Sequence, residues 1–210
     1  YLVPLAAVSG LCVFAINSIN DLPEIDPEPA ALEPAAPKID VELFPTDRVM
    51  DVQLTVAEED WNKIRFQTRN FFEALQTKRK QAPIPSPYVY VKARMTIDGV
   101  EFPEVVGLRK KGFIGSQHTS RPSLKVKVNF INKKIRVGGL TTLTFNNNKQ
   151  DITQMSQFMG YAFFNATGSP APRCSYARIS INGKPIGLYS HVETVREAVL
   201  ERGFGNSDGV

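Results

Sequence analysis

Two cysteines in 210 residues, Cys12 and Cys174, leave no disulfide framework, and the two histidines, His118 and His191, stand far apart with no cysteine at ligand spacing. A structural zinc site is not expected. No GK[ST] follows the glycines of the basic loop near residue 110, which argues against a Walker-type phosphate loop. Long apolar runs are equally scarce. Tyr1 to Ile16 (YLVPLAAVSGLCVFAI) is apolar and without a charged residue, and polar Asn17, Ser18 and Asn20 follow it. Residues 1–20 therefore read as a signal-peptide core or the end of a membrane anchor, with Pro4 and Gly10 arguing against a buried helix. No initiator methionine or basic stretch precedes the run, so an upstream start is expected. The rest of the chain is then exported, whether secreted, periplasmic or anchored facing outward, and the membrane is met only through an uncleaved leader.

Residues 21–40 (DLPEIDPEPAALEPAAPKID) hold five prolines and few core-forming residues, the composition of an extended, solvated spacer. Charge divides at the same place. The first 40 residues carry six acids and one base, so the overall +4 leaves residues 41–210 at +9. A basic domain favours anionic ligands, but charge alone does not choose among nucleotides, polymers and surfaces. Nucleic acid is not the expected partner, because the leader points to export and the aromatics form no RNA-binding pattern.

What the sequence does concentrate is a glycine-punctuated basic loop, Val106 to Phe130, reading VGLRKKGFIGSQHTSRPSLKVKVNF. Gly107, Gly112 and Gly115 allow turns and close approach; Ser116, Thr119 and Ser120 offer hydroxyls, and Arg109, Lys110 and Lys111 offer charge. After the loop, Leu124, Val126, Val128 and Phe130 alternate with Lys125, Lys127 and Asn129, so two ammonium groups leave one strand in one direction. The same alternation also describes an ordinary half-buried strand with a solvated face.

The remaining pattern predicts an α+β domain over residues 41–210, with a mixed, mainly antiparallel sheet and packed helices. Strands are expected at Arg48–Val56, Tyr88–Ile97, Leu140–Phe145, Tyr176–Ile181 and Ile186–Val192. Asp98-Gly99 and Asn182-Gly183 mark hairpins, and Pro103 interrupts the strand that starts at Val100. Capping boxes at Thr55–Glu58 and Thr194–Glu197 predict helix starts, and a further helical stretch is expected over Asn70–Lys80. Asp151 is placed to cap a helix whose apolar positions begin at Ile152 and end before Gly168. Trp61, Phe71 and Phe72 read as core aromatics.

The order and spacing of LFP (Leu43 to Pro45), VGLRKKGFIGS, SLKVKVNF, LTFNNNKQD, SPAPRCSYARISINGKPIGLYSHVE and FGNSDGV resemble the amino-terminal half of the CotH family, spore-coat-type atypical protein kinases. The resemblance covers Val41 to Val210. It implies a kinase small lobe, with ATP and a divalent metal, Mg or Mn, held between this lobe and a second one, and with Ser/Thr of exported proteins as substrate. Carried over, Arg109, Gly112 and Ser116 lie in the phosphate-side loop, Lys125 matches the family's strand lysine with Lys127 beside it, and Glu193 lies in the connection near the nucleotide. The family's metal-binding and catalytic aspartates are expected after Val210, so residues 1–210 alone should not transfer phosphate. One departure stands out: Ser156 and Gln157 occupy positions where the family often has an arginine and an acid. The alternative is a non-catalytic cell-surface binding or assembly module of the same fold.

Overall fold

The computed structural model describes residues 39–70 and 86–208. The leader, most of the linker, the Phe71–Phe72 pair and nearly all of the expected Asn70–Lys80 helix lie outside them. Two residues before the expected boundary at Val41, buried Ile39 bridges Val137 in parallel.

Eight strands and three α-helices make up the described chain: β1 (Val49–Val56), α1 (Glu58–Phe66), β2 (Val91–Ile97), β3 (Val100–Glu101), β4 (Val106–Lys110), β5 (Leu124–Lys127), β6 (Thr142–Asn146), α2 (Ser156–Ala166), β7 (Cys174–Ile181), β8 (Lys184–Val192) and α3 (Glu197–Phe204). A short 3-10 turn, Ile114–Gln117, sits in the β4–β5 loop. The sheet order is β1-β7-β8-β6-β5-β4-β2-β3, and β1 also pairs with β2, so the sheet closes into a ring. Only the β1–β7 pairing is parallel, with Val49 opposite Tyr176; the other seven are antiparallel, which makes the sheet mixed and mainly antiparallel.

Closure follows from local chemistry at both ends of β1. Asp98 and Gly99 both adopt positive φ, as do Asn182 and Gly183, the condition for a tight hairpin whose twist matches its strands. Each turn then reaches back to β1. Asp98 accepts from the Asp51 amide at 2.8 Å, and Asn182 both accepts from and donates to the Val56 backbone at 2.9 Å. Within the ring, alternation puts Met50, Val52 and Leu54 inside with Met95, Leu108, Leu124, Phe145 and Ile179, all buried. Burying a side chain of this size contributes about 1.5–3 kcal/mol, so the alternation is strongly specified.

Two polar side chains join this interior. Lys110, fully buried, donates from Nζ to the Arg65 carbonyl at 2.6 Å and so caps the negative end of α1. His191 lies between Phe44 (ring centroids 4.6 Å apart) and Phe145 (5.0 Å), with Nδ1 2.9 Å from the Leu43 carbonyl. A carbonyl only accepts, so Nδ1 carries the proton. Burial drives the imidazole pKa down to about 4.

Several expectations change. Neither capping box forms. Thr55 belongs to β1, and the residues before α1 and α3, Ala57 and Arg196, make no side-chain cap bond. The helix expected from Ile152 begins at Ser156, because Asp151 caps from five residues upstream: its carboxylate accepts from the Ser156 amide at 2.8 Å while Thr153 folds onto its other oxygen. Ile152 is left 98% exposed. α2 packs on the sheet through Phe158, whose ring lies 5.3 Å from that of Tyr176 on β7, and Met159 and Phe163 face solvent. β2 starts three residues later than expected, β6 is shifted to Thr142–Asn146, and β7 and β8 each start two residues earlier. β5 stops at Lys127, and Phe130 leaves the apolar face assigned to it. Its ring crosses to the outside over Gly107, where an added Cβ would meet it at 2.6 Å. Trp61 does pack against the core.

The carboxylate of Glu193, wholly buried in the first residue after β8, ties α3 to the sheet. It meets Arg173 at 2.9 Å and Arg202 at 2.7 Å, and also accepts from the Arg173 amide at 3.0 Å. These bonds lower its pKa against the opposing effect of burial.

Two expected outcomes follow from the interior polar groups. Because the folded His191 pKa lies below its unfolded value of 6.5, an unfolding chain takes up a proton between these values, and stability is lost as pH falls from 6.5 toward 4. Thermal melts across that window should show a loss on the order of 3 kcal/mol, which His191→Phe flattens. Asp151, held down to about 2 by Thr153 and the Ser156 amide, acts at lower pH. Glu193→Gln should lower stability by about 2 kcal/mol in a denaturant titration, less than for a fully buried pair because both guanidiniums reach water.

Candidate functional site

Strand alternation that puts Leu108, Lys110, Leu124 and Phe145 inside puts Arg109, Lys125, Lys127, Thr142 and Thr144 outside. The register sets them in rows. Arg109 is opposite Lys125, which is opposite Thr144; Gly107 is opposite Lys127, which is opposite Thr142. Lys111, just past β4, extends the same face and bonds the Asn146 side chain on β6. Thr144 hydrogen-bonds Thr194 at 3.1 Å, which brings in the connection that carries Arg196.

The result is a patch of one sign. Lys125 has its pKa lowered by partial burial and then by Arg109, Arg196 and Lys127. Lys111 is brought down to about 8, mainly by burial and further by Lys125 and Arg109. Neither shift includes a carboxylate, and neither Lys125 nor Lys127 has a hydrogen-bond or ion-pair partner among the described residues. Like charges at close range disfavour one another, and an anion bound among them relieves that repulsion. A cleft of about 280 Å³ between β6 and the start of α3 shares Thr142, Thr194 and Arg196 with this face.

The β4–β5 loop borders the patch. It is closed by backbone bonds from Lys111 to Ser123 and from Ser123 to Ser116, both 2.9 Å. Asn147, buried after β6, pins it by donating to the Gly115 and Arg121 carbonyls at 3.1 and 2.7 Å. Gly112 has φ +91°, and a Cβ there would lie 2.4 Å from that of Ser116, so only glycine fits. The Ser116 hydroxyl beside it makes no hydrogen bond among the described residues. Arg109 is held over the Tyr90 ring at 5.1 Å and donates to Ser86 at 3.1 Å.

Of the residues singled out in the sequence, Lys125, Lys127 and Arg109 share the outer face, and Gly112 and Ser116 meet in the loop beside it. Glu193 has its oxygens engaged by Arg173 and Arg202. Sequence reasoning named Lys111 only as part of the loop's charge and passed over Asn146 and Arg196. The alternation signal contained Lys111, which has the parity of Arg109, whereas Arg196 arrives only through the Thr144–Thr194 contact.

Comparison with known proteins bears on the same stretch. Residues 108–210 match the family model described as CotH kinase protein. A 60-residue segment is 37% identical to the inner spore coat protein H-like protein of Bacillus subtilis (strain 168), covering 29% of this chain and 20% of that relative. The match thus spans about a fifth of the relative's length. The matched family region begins in β4 and takes in the basic loop, β5 to β8 and α2. Residues 108–210, just under half of the chain, are thus similar to the CotH family.

Proposed function

We propose that the ring of strands and its outer face form the nucleotide-side lobe of an ATP-dependent protein kinase that phosphorylates serine or threonine of exported proteins. The observation that carries this reading is the uncompensated cluster of Lys111, Lys125, Arg109, Lys127 and Arg196, bordered by a glycine-containing loop, within the CotH region. Phosphoryl transfer is largely positioning and charge neutralisation, and such a cluster supplies both to a triphosphate. Lys125 is the central contact, since the other cations surround it and none of the described residues engages its amine. Ser116 and the loop backbone cover the phosphates from one side. Export of the substrate rests on the apolar leader and the proline-rich spacer.

A divalent metal does not fit this face. The strands of this face offer ammonium, guanidinium, amide and hydroxyl, Glu197 and Glu201 line only the adjoining cleft, and no group of three metal-ligating side chains occurs among the described residues, whereas Mg and Mn take carboxylate oxygens. A second reading, a non-catalytic surface module binding an anionic polymer, draws on the same basic face, and the two separate on ligand choice.

ATP binding to the full chain, followed by calorimetry beside a thermal melt, tests the assignment. Lys125→Ala should weaken ATP by about 1.5–3 kcal/mol, roughly 10- to 100-fold, with the melt unchanged. Lys127→Ala should do less, and Arg109→Ala should weaken ATP through lost charge on the same row. Normal ATP binding by a well-folded Lys125→Ala chain contradicts the nucleotide assignment. Tight binding of long polyphosphate with no binding of ATP supports the surface module.

A further inference from the structure

Lys111 is held by two neutral amides in series. Its Nζ donates to Asn146 Oδ1, and Asn146 Nδ2 donates to Gln157 Oε1 at 2.9 Å. The amide of Asn146 is thereby fixed end for end, its oxygen on the cation and its nitrogen on the helix. Both anchors are rigid. Asn146 lies in β6 opposite Ser190 of β8, and Gln157 is the second residue of α2. The start of α2 is docked by the Asp151 carboxylate on the Ser156 amide, by the Tyr176 hydroxyl donating to the Gln154 carbonyl at 2.8 Å, and by Phe158 against Tyr176. A continuous line of contacts therefore runs from β7 through α2 and β6 to the amine.

We infer that Asn146 and Gln157 are positioning residues that aim the Lys111 amine into the anion site it shares with Lys125 and Arg109, so that α2 sets the site's geometry through a relay carrying no charge. This rests on the phosphate-binding reading above. The chemistry explains why amides suit the task. A carboxylate at position 157 would direct the amine equally well but would neutralise part of its charge and compete with phosphate for it. An amide oxygen accepts one of the three amine protons and leaves the full positive charge and two donors for a ligand. Gln157, at the position where the family often has an acid, is thus still joined to a site lysine, one residue further out and to Lys111 rather than Lys125.

The groups facing Lys111 are Arg109 on β4, Lys125 on β5, Asn146 on β6 and, behind it, Gln157 on α2; no carboxylate contributes to its shift. In the free protein the amine loses its charge as pH rises through about 8, well below the ordinary lysine value, because it is held in a buried, cationic place. Releasing the relay lets it swing toward water, and its midpoint should climb toward the ordinary value.

The test has two arms on the full chain. In the first, the pH dependence of Lys111 reactivity toward an amine-selective reagent is followed by mass spectrometry without any ligand. The parent should show a midpoint near 8, and Gln157→Ala and Asn146→Ala should raise it by about one unit or more. A merely structural role would lower the melting temperature and leave the midpoint in place, which overturns the relay. In the second arm, ATP affinity is measured from pH 7 to 9. The parent should weaken as pH rises through 8; Lys111→Arg, which stays charged, should bind with little pH dependence; Lys111→Met and Gln157→Glu should bind about tenfold more weakly. Parent-like ATP binding by Lys111→Met overturns the anion contact even if the relay holds. Failure of the parent chain to bind ATP overturns the nucleotide reading, and the first arm still decides whether Asn146 and Gln157 position the amine.

Discussion

The pairing of β1 with both β2 and β7 is the constraint on which the rest depends. Once that strand is shared, seven strands form a ring with β3 left at its edge, the ring strands turn apolar rows away from water, and a shift by one residue would turn such a row outward. The hairpin residues Asp98 and Asn182 reinforce it by spending their side chains on the backbone of β1. With the interior filled by Met50, Val52, Leu54, Leu108 and Phe145, the lysines of β5 have only the outside to occupy. The candidate site is in this sense a by-product of closure: Lys125 and Lys127 converge with Arg109 because Leu124, Val126 and Leu108 are buried beneath them.

The same alternation gives two neighbouring lysines opposite roles. Lys110 faces in, loses all contact with solvent and caps α1 through the Arg65 carbonyl; Lys111 faces out and meets Asn146. Both have pKa values brought down to about 8, yet burial alone accounts for Lys110, whereas Lys125 and Arg109 add to it for Lys111. A depressed lysine pKa is thus not by itself a sign of function here. The neighbours decide, and only Lys111 has cationic ones.

Much of the fold was legible because its signals are local. Asp-Gly and Asn-Gly turns, the period-two runs in β2, β5 and β7, and the break at Pro103 all act within a few residues. Ring closure was not legible, since the parallel β1–β7 register joins residues more than a hundred positions apart and leaves no periodic trace. The helix starts were misread where tertiary structure overrode a local motif: Thr55 is committed to β1, and the turns between Asn148 and Gln154, both at positive φ, put four residues between Asp151 and the helix it caps. The apolar spacing from Ile152 to Phe163 marks a helix but not a core face, because only Phe158 is seated on β7 by a ring contact. At the site, parity found Lys125, Lys127 and Arg109. Gln157 read only as a departure from the family pattern, since a contact routed through Asn146, eleven residues away on another element, has no sequence pattern of its own.

The central claim is that the outer face of β4, β5 and β6 receives the phosphates of ATP. It is tested most directly by nuclear magnetic resonance of the full chain with labelled lysine amines and asparagine and glutamine side-chain amides, titrated with ATP. The account predicts that the Lys111 and Lys125 amines and the Asn146 and Gln157 amides shift together along one binding curve, while Lys133 and Lys134 of the β5–β6 turn do not. Shifts confined to that turn, or a Lys111 signal that stays fixed as ATP saturates, would contradict it.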